Sequence, residues 1–118
     1  MSSCLLSGEM KIFMHHIYEF QKGIRSMVLC TLAESDKYFA INKLKKLGID
    51  YLEYEISSQK VNIFFGAKGA IEVAKMICTR PLNKLTAEED FILGTLLGYS
   101  VSEQCSRYSK RKAVRNTA

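Results

Sequence analysis

Proline occurs once, at Pro81, and tryptophan not at all. No Pro/Gly-rich tract or low-complexity segment interrupts the 118 residues, so disorder is expected only at the ends. No apolar run approaches the ~20 residues needed to cross a bilayer. Residues 1–10 also lack the charged start and long apolar stretch of a secretory signal. The four cysteines, Cys4, Cys30, Cys78 and Cys105, form no C-x-x-C pair and match no zinc or disulfide spacing. Free thiols in a reducing cytoplasm are the simplest reading. A Gly-rich phosphate loop, H-E-x-x-H and G-x-S-x-G are all missing. The expectation is a cytoplasmic protein without a membrane span or cofactor, and without an assignable catalytic residue.

What is present suits one domain. With 47% hydrophobic and 25% charged residues, a chain of this length buries a core without disulfides or metals. Residues 1–9 are expected to be an N-terminal extension, with Met10 an alternative start. Residues 10–112 are expected to form a single α+β domain, and residues 113–118 a basic tail. Charge is unevenly placed. Residues 1–104 carry equal numbers of cationic and acidic side chains, so the whole net charge of +5 lies in residues 105–118. It resides on Arg107, Lys110, Arg111, Lys112 and Arg115, with no acid among them. A neutral body with a cationic end attracts an acidic partner more than it suits nucleic acid.

Residues 11–20 alternate: Ile12, Met14, His16, Tyr18 and Phe20 fall on one face, Phe13, His15, Ile17 and Glu19 on the other. A β-forming run, Ile24 to Leu32, follows. The link Gln21-Lys22-Gly23 suits a three-residue hairpin with Gly23 left-handed, which sets Glu19 opposite Arg25. Ser35–Leu47 reads as a helix with Ala40, Ile41, Leu44 and Leu47 inward, closed by Gly48, with Ile49 folding back on Leu44. A second hairpin joins Tyr51–Ile56 to Lys60–Phe65. Gly69–Cys78 is a short helix. Thr86 and Glu89 form a capping box ahead of a helix that stops at Gly98; Ser100 and Glu103 form a second box, opening a last helix with Val101, Cys105 and Tyr108 as its inner stripe. The order β-β-α-β-β-α-α-α predicts an α+β fold, with an antiparallel sheet of about four strands. Helices would pack mainly on one side, and the C-terminal third would be helical. Tyr18-Glu19 and Tyr54-Glu55 precede the two turns and suggest a duplicated ββα unit. The first hairpin is apolar on both faces, so its open face predicts a homodimer or a docked partner protein there, or else a cover of C-terminal helices.

Several residues invite chemical readings. On a strand, His15 and His16 point to opposite faces and cannot share a metal. His16 is then a core histidine, while His15 and Glu19 lie ~13 Å apart. A small metal protein or enzyme would need further ligands such as Cys105 or Glu103. Glu19, Lys22 and Arg25 cluster at the hairpin tip, either as a contact for an acidic partner or as a solvated turn. Phe64 and Phe65 alternate, leaving one exposed. Core packing accounts for them better than base stacking, because the RNP pattern around them is absent. Cys105 lies beside Arg107, which favours a thiolate, but on a buried stripe, which opposes it.

Three segments, HHIYEFQKGIRSMVLCTL (15–32), VNIFFG (61–66) and LTAEEDFILGTLLGYSVSEQCSRYSKRK (85–112), resemble a small bacterial family of unknown function, domain of unknown function twenty twenty-three. The positions carrying the likeness include His15, His16, Tyr18, Glu19, Lys22, Gly23, Arg25, Phe64, Phe65, Gly66, Glu88, Glu89, Asp90, Cys105, Arg107 and Tyr108. The N-terminal extension and the tail after Lys112 depart from it. The resemblance implies a compact α+β protein with no assigned activity, encoded near flavodoxin, the acidic FMN-carrying electron-transfer protein. It supplies no catalytic residues. The expected function is therefore a non-enzymatic binding or accessory role toward an acidic protein such as flavodoxin. The expected contacts are Lys22, Arg25, Arg107, Lys110, Arg111 and Lys112. Nucleic-acid binding by the same basic helix is the alternative.

Overall fold

The computed structural model describes residues 6–117. Its first element is a helix, α1 (Gly8–Gln21), where a strand was expected. Residues 10–20 satisfy both periods, and burial decides between them. At helical spacing Met10, Phe13 and Ile17 all face inward and are fully or nearly fully buried. As a strand, the segment would put Met10 on the face away from Phe13 and Ile17. Burying such side chains stabilises by roughly 1.5–3 kcal/mol each, more than the ~1 kcal/mol span of strand propensity. Ser7 caps α1 by accepting a hydrogen bond from Met10 N–H (3.1 Å). Glu9 accepts from Ala33 N–H (3.2 Å) and pairs with Lys60 (3.3 Å).

Gly23 is left-handed as expected (φ 78°), but it ends a helix instead of turning a hairpin. Ile24 N–H donates to Glu19 C=O (2.9 Å) and Gly23 N–H to Phe20 C=O (3.0 Å), the Schellman pattern. With the hairpin gone, the open apolar face that argued for a second chain there is absent too. Phe13 and Ile17 are core residues of one helix.

Among the described residues the antiparallel sheet has three strands, where about four were expected: β1 (Met27–Ala33), β2 (Asp50–Glu55) and β3 (Lys60–Gly66), in the order β1-β3-β2. The first half is therefore α-β-α, not ββα, and the two Tyr-Glu pairs fall in a helix and in a strand, not in equivalent places. Helix α2 (Glu34–Leu47) links β1 to β2 and ends as read, at left-handed Gly48 with Ile49 N–H donating to Leu44 C=O. The register places Val28, Cys30 and Leu32 of β1 opposite Phe65, Ile63 and Val61 of β3. This face packs with Met10, Phe13 and Ile17 of α1 and Ala40 and Leu44 of α2 into one core. Phe13 and Phe65 meet edge to face, 5.4 Å apart.

The chain divides into two compact units within α3 (Lys68–Ile77), the first ending at Ile71 and the second beginning at Glu72. The second unit continues through a 3-10 turn (Leu82–Lys84), α4 (Ala87–Leu96) and α5 (Val101–Thr117). The capping box at Thr86 and Glu89 forms reciprocally, as the spacing predicted. Ser100 accepts from Glu103 N–H (3.4 Å). The expected inner stripe of α5 is displaced. Val101 and Cys105 are exposed, while Gln104 is buried and Tyr108 and Arg111 are half-buried. The helix keeps the i, i+4, i+7 spacing but turns amphipathic side chains inward, with the polar ends of Tyr108 and Arg111 donating to Glu88 and to Leu85 C=O. Among the described residues, no helix is long and apolar enough to cross a membrane.

Candidate functional site

The expected site residues gather in two separate clusters, one in each unit. The first lies at the C-terminal end of α1. Helical geometry brings His15 and Glu19 together at i, i+4, with His15 Nε2 3.7 Å from Glu19 Oε2 rather than the ~13 Å of a strand. His16 Nδ1 lies 2.8 Å from Glu19 Oε1. A carboxylate only accepts, so in this contact His16 is the donor. The hydrogen bond from His16 is the main reason Glu19 is held below the ordinary carboxylate range, with His15 and Arg25 adding to it. Arg25, placed by the Gly23 turn, brings Nη1 within 3.7 Å of Glu19 and 3.3 Å of His16 Nδ1. His16 is therefore a half-buried, hydrogen-bonded residue of a helix surface, not a core strand residue.

Outward from this network runs a stripe at i, i+4, i+7 and i+11: Lys11, His15, Tyr18 and Lys22. At 3.6 residues per turn the four fall within an arc of about 60°. The His15 and Tyr18 rings stack, with centroids 6.2 Å apart and planes inclined at 24°. Lys22 Nζ sits 5.5 Å from the Tyr18 centroid, a cation–π contact. His15 is 66% exposed and Tyr18 53%, so this aromatic pair faces solvent.

The second cluster joins α4 to α5. Arg107 grips Asp90 with both arms (Nε–Oδ2 3.1 Å, Nη2–Oδ1 2.9 Å). Lys112 Nζ and Tyr108 O–H both donate to Glu88 Oε2, at 2.8 and 2.9 Å. Arg111 donates to Leu85 C=O (2.7 Å) and lies 3.8 Å from Asp90. Phe91 and Tyr108 rings pack edge to face at 5.7 Å. Lys112 above all, then backbone and Tyr108 hydrogen bonds, press the Glu88 carboxyl down to about 2. Arg107, Arg111 and Lys112, expected to be open contacts, thus face acids of the neighbouring helix. The missing signal was available in principle. An acidic first turn on α4, a glycine turn, then a helix with a basic far end must fold back with opposite charges adjacent. Lys110 and Cys105 are exposed.

The core-packing reading of Phe64 and Phe65 holds: both are fully buried, on opposite faces of the central strand, and neither offers a stacking platform for a base. Phe64 instead meets Tyr54 edge to face at 5.9 Å. Burial pushes the Cys30 thiol up to about 11 and raises that of Cys78. Arg107, suggested as a neighbour that would activate Cys105, is committed to Asp90. Cys4 and the Arg115 side chain lie outside the described residues. Among those described, no group of three or more His, Cys, Asp or Glu side chains could hold a metal ion.

A search of the curated proteins found no match to this chain. One family model matches residues 11–111, and its description reads "Protein of unknown function (DUF2023)". The match encloses the whole α1 cluster and the α4–α5 network through Arg111, leaving Lys112 one residue beyond. On a match of that extent, the chain belongs to the DUF2023 family.

Proposed function

We propose that this protein is a non-enzymatic, cytoplasmic accessory protein that docks an acidic protein through the outer face of α1. The observation that carries the reading is the Lys11–His15–Tyr18–Lys22 stripe. Two lysines flank an exposed aromatic pair on one narrow face of a helix anchored by its opposite side. Such a surface combines electrostatic steering with apolar contact area. The Glu19 carboxylate beside it is already answered by His16 and Arg25, so it opposes an anionic partner little. The basic end of α5 is a second, weaker surface in the same proposal, because Arg107, Arg111 and Lys112 already face Asp90 and Glu88.

Flavodoxin, an acidic electron carrier, is the first partner to try, since redox encounters are typically small, weak and electrostatically steered. The test is an NMR titration of the isotope-labelled chain with flavodoxin at low and at physiological salt. Shifts centred on Lys11, His15, Tyr18 and Lys22 that shrink with salt are expected. Absence of shifts at either salt, or shifts confined to other surfaces, overturns it.

A further inference from the structure

We propose that α2 pairs antiparallel with the α2 of a second copy of this chain, across a two-fold axis beside Phe39. The inward side of α2 is settled: Ala40 and Leu44 are fully buried in the core. Its outward side is unusual. Tyr38 is 78% exposed and Phe39 47% exposed, and with Asn42, Lys43, Lys45 and Lys46 they line a shallow surface depression. The helix dipole accounts for acids at the start of α2 and lysines at its end. It does not account for adjacent aromatic rings in water between them.

A two-fold contact must be self-complementary, because each copy offers the same patch. Helix α2 meets that condition. At 100° per residue, Ser35, Tyr38, Phe39, Asn42 and Lys46 form the outward face. Glu34 and Lys45 lie along one flank of it, Asp36 and Lys43 along the other. When two such helices pair antiparallel, like flanks meet. Lys45 then faces the partner's Glu34, and Lys43 faces the partner's Asp36. Both charge pairs are centred on the same point, between residues 39 and 40, so one register satisfies both. That register sets the two Phe39 rings at the axis, with Tyr38 of each copy beside them. Two contacts within the chain compete: Asp36 accepts from Ser7 (3.2 Å), and Glu34 Oε2 pairs with Lys37 (3.1 Å) while its Oε1 is buried, so Lys45 of the second copy shares Oε2 with Lys37. Among the described residues, Lys43, Lys45 and Lys46 take no ion pair within the chain.

The proposal is independent of the partner reading, which uses α1. Sedimentation equilibrium of the full chain, up to millimolar concentration, tests it. A reversible monomer–dimer equilibrium is expected, abolished by Phe39→Glu. Asp36→Lys and Lys43→Asp should each weaken self-association by about tenfold or more, since each repeats a like-charge clash twice across the axis. Mixed together, the two single variants should pair as well as the parent chain, because every clash becomes an attraction. A fold defect cannot produce that rescue. A chain that stays monomeric at millimolar concentration overturns the proposal, as does a dimer indifferent to Phe39→Glu or a variant mixture that fails to associate.

Discussion

The same substitution at two glycines should give very different costs. Gly23 has φ 78°, yet a Cβ added there meets nothing within 4 Å. Alanine at that position pays only for the left-handed backbone, roughly 1–2 kcal/mol, partly offset by about 0.4–1 kcal/mol of lost unfolded-state freedom. The expected net loss for Gly23→Ala is about 1 kcal/mol. Gly66 has φ 154°, and its Cβ would collide with the carbonyl oxygen of Ser26 and the Cα of Met27. These are backbone atoms and cannot rotate aside. Ser26 C=O is held by Ala67 N–H (2.8 Å), and Met27 pairs with Gly66 in the sheet. Strain of about 1–3 kcal/mol adds to an overpacking cost of about 1–3 kcal/mol, so Gly66→Ala should lose about 3 kcal/mol or more. Urea unfolding followed by circular dichroism measures both variants against the parent chain. A Gly66→Ala cost no larger than that of Gly23→Ala would refute the reasoning, because it would mean β1 can yield freely at its start.

Further outcomes follow from the ion pairs and thiols. The Glu88 carboxyl, held down at about 2 chiefly by Lys112, contributes its stability above the ordinary carboxylate value of 4.5 and loses it as pH falls toward 2. The α4–α5 contact should therefore loosen across that window, seen as a Glu88 carboxyl resonance titrating near pH 2 and earlier loss of helix signal in Glu88→Gln. Thiol labelling at neutral pH should modify exposed Cys105 quickly and buried Cys30 only on unfolding, given a thiol near 11 there. Equal rates at the two sites would contradict the burial pattern.

Much of the fold was legible where local chemistry had one reading. The second hairpin, the Gly48 and Gly98 helix stops and the capping box at Thr86 each rest on contacts within a few residues, and each formed. The first segment failed because Met10 to Phe20 is apolar at both periods and Gly23 serves a hairpin or a helix end equally well. Its two apolar faces were themselves the warning, since a helix collects them onto one side. The site divides the same way. The pairing of Arg25 with Glu19 survived the change from strand to helix, because the two are close in the chain, while Lys22 turned over the Tyr18 ring. The pairing of Arg107 with Asp90 depends on the register of two antiparallel helices, which no short spacing in the sequence specifies. Cys105 was misplaced because α5 buries Gln104 and the body of Tyr108 in place of its most apolar stripe.

Charge reversal on the α1 stripe reaches the proposal most directly. Calorimetry or NMR titration with flavodoxin should compare the parent chain, a Lys11→Glu/Lys22→Glu variant and a Lys110→Glu variant at low salt. The first variant should lose binding about tenfold or more, while Lys110→Glu should lose far less. Equal binding by all three proteins would contradict docking through α1.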